Sequence, residues 1–147
     1  MTVVSSDVGR ATPSPIRRLL QILDVIKFQE SLFALPFAYT GMVLAADGLP
    51  TLAKFIWITV AMVGARTFGM AANRLIDRQI DAANPRSVGR HLPAGLLRPV
   101  DVAALALGGL VVLLVAAWRL NGLALALAPV AAAYLVLYPY TKRVTFL

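Results

Sequence analysis

The sequence predicts an all-α, polytopic transmembrane helix bundle with about four spanning helices, and three observations lead there. Of the 147 residues, 59% are hydrophobic and only 14% charged, whereas a soluble domain carries about a quarter charged residues. Apolar runs long enough to cross a bilayer recur along the chain, broken by short stretches of Gly, Pro and polar residues. The fourteen basic residues are distributed unevenly around those runs. Arg10, Arg17, Arg18, Lys27, Arg74, Arg78, Arg86, Arg90, Arg98, Lys142 and Arg143 fall on one side, Lys54 and Arg119 on the other, and Arg66 lies within a span.

Residues 1–15 are polar, without the apolar core of a secretory signal, and read as a mobile cytoplasmic tail. Residues 16–147 form the membrane unit. Ile16 to Lys27 is amphipathic and suits the membrane surface. A first span is expected over 28–46, with Asp47-Gly-Leu-Pro50 as the turn. A second, over 51–78, is long enough to cross and to project its last turns beyond the hydrocarbon. Residues 82–98, with Pro85, Gly89, Pro93 and Gly95, read as an irregular loop able to fold over a site. Two further spans follow over 100–118 and 120–140, separated by a short turn around Arg119 to Gly122, with Pro129 expected to kink the last. The bias in basic residues puts both termini and the loop on the cytoplasmic face of the membrane, which for a bacterial-type chain is the inner membrane.

Cysteine is absent, which removes disulfides, thiolate nucleophiles and Cys-based zinc sites. The net charge of +7 does not point to nucleic acid, because the cations are scattered among apolar segments and form no basic arm.

The chemistry concentrates where the second span runs out. Asn73, Asp77 and Asp81 recur every four residues and, at about 100° per residue, share one arc of a helix. Two acids at i,i+4 repel, and the carboxyl end of a helix is already partly negative, so a cation is expected opposite them. Arg66 lies close to two turns earlier on the same arc, deep in apolar sequence where a charge is costly. Pairing of Arg74 with Asp77 and Arg78 with Asp81 would make an ordinary charged helix end, but it uses the weaker order of charges and leaves Arg66 unexplained. Carboxylates and a carboxamide amid arginines suit magnesium shared with diphosphate oxygens, since Mg2+ is a hard cation that takes oxygen ligands. The lone His91, in a basic loop, reads as solvated. Trp57 and Trp118 read as interface anchors, and Met42, Met62 and Met70 as lipid-facing or packing residues.

At these residues the chain resembles the UbiA superfamily of intramembrane prenyltransferases. Their first acidic motif, Asn-Asp/Arg-x-x-Asp-x-x-x-Asp, is matched by Asn73, Arg74, Asp77 and Asp81. The likeness continues upstream to Arg66-Thr-Phe-Gly-Met-Ala-Ala, downstream through Asn84 to Gly95, and at Tyr138-Pro-Tyr-Thr-Lys142-Arg143, covering residues 25–147. The resemblance implies the first part of a nine-helix fold built from two halves, the second half holding another acidic motif, so that this chain by itself lacks activity. It implies Asn73, Asp77 and Asp81 as catalytic magnesium ligands, and Arg66, Arg90, Tyr138, Lys142 and Arg143 as diphosphate-binding residues. The implied reaction is transfer of a polyprenyl group from an allylic polyprenyl diphosphate to an aromatic acceptor. Arg74, in place of the family's second Asp, looks like the branch that prenylates 4-hydroxybenzoate in ubiquinone biosynthesis or a menaquinone precursor. A transporter or channel subunit with an acidic and arginine path is the alternative, disfavoured because the charges gather at one membrane face. A phosphatidyltransferase would carry an Asp-Gly-x-x-Ala-Arg pattern that this sequence does not have.

Overall fold

The computed structural model describes residues 28–46, 48–83 and 97–144. Helices α1 (Phe28–Ala45), α2 (Leu52–Ile76), α3 (Arg78–Ala83), α4 (Pro99–Leu120) and α5 (Gly122–Val144) make up this part of the chain. The amino-terminal tail, the amphipathic stretch 16–27 and most of the 82–98 loop lie outside the described residues.

Among the described residues three helices, Leu52–Ile76, Pro99–Leu120 and Gly122–Thr141, have the length and hydropathy to cross a membrane. The first expected span coincides with α1, and within its described side chains Phe33–Ala45 is a shorter apolar stretch. Large apolar side chains such as Phe33, Phe37, Leu107 and Leu127 are exposed, as they are when a bilayer is the solvent.

Helix ends follow local capping chemistry. Thr51 is the N-cap of α2 and its hydroxyl accepts the Lys54 N–H at 3.4 Å. Gly48, just before, has φ 150°, a conformation that suits only glycine. At the other turn Asn121 serves two helices. Its N–H donates to the Ala117 carbonyl at the end of α4, and its side-chain Oδ1 accepts the Ala124 N–H at 2.7 Å at the start of α5. The turn is therefore one residue long, and Arg119 belongs to the last turn of α4 instead of to the turn. Pro129 and Pro139 both lie inside an uninterrupted α5.

Packing centres on α2 and α4, which run antiparallel with their backbones in contact at Gly64 and Gly109. A Cβ built on Gly109 would lie 2.6 Å from the Phe68 amide nitrogen, and one on Gly64 would lie 2.7 Å from that of Leu113. Small residues permit such close approach, which is how membrane helices gain packing energy without a hydrophobic effect between them. Around this crossing Phe68, Ala71 and Ala72 of α2 meet Val102 and Ala106 of α4 and Ala132 of α5, with Leu97 closing the end of the cluster. Helix α1 is held to α2 by a stacked pair, Tyr39 on Phe55 at 4.6 Å, and by a bond between the Tyr39 hydroxyl and Thr59 Oγ1 at 2.8 Å. Thr59 already donates to the Phe55 carbonyl, so Tyr39 is the donor.

Candidate functional site

Helix α2 stops at Ile76, and Asp77 is its C-cap with φ −85° and ψ 1°. The Asp77 N–H still donates to the Asn73 carbonyl at 2.9 Å, so the spacing between these two residues is helical. Asp81, however, lies on the separate helix α3. The single helical arc expected for all three residues therefore holds for Asn73 and Asp77 and is interrupted before Asp81, because ψ near 0° at Asp77 leaves the α region and turns the chain. The Asp81 side chain lies outside the described residues.

Arg66, Asn73, Arg74 and Asp77 are all half-buried, and Arg66, Arg74 and Asp77 each have partners. The Arg66 Nε is buried, which agrees with its expected depth. The direction of the arc is informative. Taking about 100° per residue, Arg66, Asn73 and Asp77 lie roughly opposite the Gly64, Phe68, Ala71 and Ala72 stripe that packs on α4. They share their side of α2 with Phe55 and Thr59, which meet α1, and are flanked by Gly69, which meets Leu135 of α5. The polar arc thus faces away from the tight seam, into the space bordered by α1 and α5.

Helix α5 runs parallel to α2 and brings its carboxyl end to the same level. Counted from the Gly69 and Leu135 contact at about 1.5 Å per residue, Asp77 lies ~12 Å onward and Lys142 ~10 Å onward. The backbone of Lys142 and Arg143 is in the last turn of α5, and their side chains lie outside the described residues, as do Arg90 and His91. Tyr138 is in α5 and 57% exposed.

Two features were not read from sequence. The Gly64 and Gly109 seam fixes which face of α2 is buried, and the recurrence of Gly and Ala through α2 and α4 was its available signal. Asp101, in the first turn of α4, is an acid at the same end of the bundle, placed where a helix N-terminus favours negative charge. Among the described residues no three His, Cys, Asp or Glu side chains gather as a metal cluster. Asn73 and Asp77 nonetheless fit magnesium, which is commonly held by one or two carboxylates together with phosphate oxygens and water.

Fold and site together define an integral membrane protein with a polar, oxygen-bearing end on an apolar helix bundle. The UbiA prenyltransferase family matches residues 34–147 as a sequence model. The chain is similar to a protein named 4-hydroxybenzoate octaprenyltransferase from Pseudoalteromonas translucida, at 31% identity over 94% of this chain and 47% of that one. It is similar to a protein of the same name from Aliivibrio fischeri, at 34% identity over 73% of this chain and 37% of that one. Among solved structures, the apo form of a UbiA homologue from Aeropyrum pernix superposes with a TM-score of 0.74 at 38% identity, covering 78% of this chain and 42% of that one. This chain belongs to the UbiA prenyltransferase family, and it spans less than half the length of each of these relatives.

Proposed function

We propose that this chain supplies the first acidic half-site of a magnesium-dependent prenyltransferase that joins a polyprenyl group to an aromatic acceptor. The observation carrying this reading is the half-buried Asn73 and Asp77 pair with Arg66 buried two turns deeper on the same arc. Relatives named for octaprenyl transfer to 4-hydroxybenzoate support an acceptor of that kind.

When bound, magnesium supplies charge neutralisation on the diphosphate and so makes it a better leaving group. Asn73 and Asp77, with Asp81, would hold it. Arg66 donates to phosphate oxygens, and Lys142 and Arg143 approach from the end of α5 with further positive charge. Tyr138 and, from the loop, Arg90 complete the diphosphate contacts. The allylic carbon–oxygen bond breaks and its electron pair leaves with the diphosphate. An electron-rich ring carbon of the acceptor forms the new carbon–carbon bond, and that carbon's proton is lost. The apolar walls keep water from the allylic cation. The remaining ligands come from outside these residues, so the 147-residue chain alone binds magnesium diphosphate weakly and does not turn over.

Arg66 tests this reading. In a full-length protein carrying this segment, Arg66→Lys keeps the charge but loses the bidentate fork, and the expected result is a raised KM for the prenyl diphosphate at nearly unchanged thermal stability. If Arg66 only neutralises the acids, Arg66→Leu lowers stability and yield while Arg66→Lys leaves KM alone. Wild-type KM and stability in both variants would remove Arg66 from the site.

The bias in basic residues supports a cytoplasmic site with both termini of this chain on that side. Impermeant thiol labelling in intact cells checks it, since the chain has no cysteine of its own. Leu49, 97% exposed, is a better probe than Gly48, whose φ disfavours any side chain. Leu49→Cys is expected to label from outside and the exposed Ala83→Cys not to; the opposite pattern reverses the topology.

A further inference from the structure

The end of the bundle remote from Asp77 carries a second constellation. The Arg119 Cζ lies 5.4 Å from the ring centroid of Trp57 and 5.4 Å from that of Trp118. Trp57 comes from α2 and the other two residues from α4, so the clamp bridges the start of one helix and the end of the other. Trp57 precedes Asp77 by twenty residues, which is ~30 Å along a helix axis and about one hydrocarbon thickness. The clamp therefore lies at the opposite membrane face from the acidic site. Arg119 and Trp118 are exposed and Trp57 is half-buried. Lys54, also exposed, lies three residues before Trp57 and hence on the same side of α2. Among the described residues no carboxylate pairs with Arg119 and its N–H groups have no acceptor. Asp77 and Asp101 are at the other end of the bundle, and Asp47 lies outside the described residues.

We propose that Trp57, Trp118 and Arg119 form a binding site for the headgroup phosphate of an anionic phospholipid. Contact with two indoles orients the guanidinium and shields part of it from water, which strengthens its remaining interactions. The N–H fork stays available at an exposed edge and matches two phosphate oxygens. Indoles favour the headgroup level of a bilayer, where such phosphates are concentrated. Lys54 adds a second positive charge and so favours a lipid with net negative charge over a zwitterionic one.

The chain has two tryptophans in all, both in the clamp, so tryptophan fluorescence of the 147-residue chain, excited beyond the absorption of its tyrosines, reports on this site alone. In detergent micelles, titration with a short-chain phosphatidylglycerol is expected to give a saturable emission change. Its midpoint is expected about tenfold or more below that for phosphatidylcholine of equal chain length, the lower range of what a hydrogen bond to a charged group is worth. Arg119→Gln is expected to bring the two midpoints together, with Arg119→Lys between. Equal midpoints for the two lipids in the unmutated chain overturn the proposal whether or not the variants fold. So does a phosphatidylglycerol response unchanged in Arg119→Gln, or an equal response to inorganic phosphate, which would make the site one for free anions.

Discussion

Replacing Asp77 with Asn in a full-length protein carrying this segment is expected to lower prenyl transfer by about 100-fold or more, beyond the 10–100-fold typical of a residue that only supports a metal ligand. The side chain keeps its size and its place at the end of α2, so the fold is retained. Stability is expected to stay near level, because relief of the carboxylate's opposition to the helix macrodipole, worth ~0.3–1 kcal/mol, offsets what the charge contributes to its own partner. Loss of activity with nearly unchanged Tm separates a ligand from a structural charge. Asp81→Asn is expected to behave alike in activity. The two positions are not interchangeable, however, since the chain turns between them at Asp77 and Asp81 belongs to α3. Magnesium-dependent turnover that survives in the double variant would sink the ligand assignment for both.

The largest structural effect is expected at the α2 and α4 crossing. A methyl group at Gly109 would meet the Phe68 amide nitrogen at 2.6 Å and the Gly64 carbonyl at 2.9 Å; at Gly64 it would meet the Leu113 amide nitrogen at 2.7 Å. These neighbours are backbone atoms, so no rotamer change relieves the clash and the helices must separate. Gly64→Ala or Gly109→Ala is expected to cost ~1–3 kcal/mol, the usual range for overpacking. Gly109→Leu is expected to abolish the seam. Gly108 provides the control. It is adjacent in sequence, but nothing lies within 4 Å of its built Cβ, so Gly108→Ala is expected to be neutral or to stabilise by ~0.5–1 kcal/mol through helix propensity. Thermal or detergent-induced unfolding of the purified variants measures the difference. Gly109→Ala that unfolds with the unmutated chain would mean the helices do not touch there.

Much of the helical layout was legible because each boundary has a local cause. Thr51 caps α2, Pro99 opens α4, and Asn121 both ends α4 and starts α5. The errors were likewise local. Arg119 was expected in a turn, yet α4 continues through it to Leu120 because Asn121 alone supplies the turn. Asp81 was expected to continue the Asn73 and Asp77 arc, but four-residue spacing cannot register a change in ψ at Asp77.

By itself the sequence determined that the chain is an apolar helix bundle and that Asn73, Asp77 and Arg66 share one side of one helix. Composition and periodicity are sufficient for both, since each depends on the chain's own chemistry within a few turns. Only the tertiary structure decided which side of α2 is buried. Periodicity marks two opposite faces on this helix, one small and apolar and one polar, but not which neighbour each meets. The backbone contact of Gly64 with Gly109 commits the small face to α4. The polar arc is thereby turned toward the space bordered by α1 and α5, with the end of α5 at its level. The meeting of Trp57 with Arg119 was equally hidden, because residues more than sixty apart in sequence become neighbours only when antiparallel helices pack.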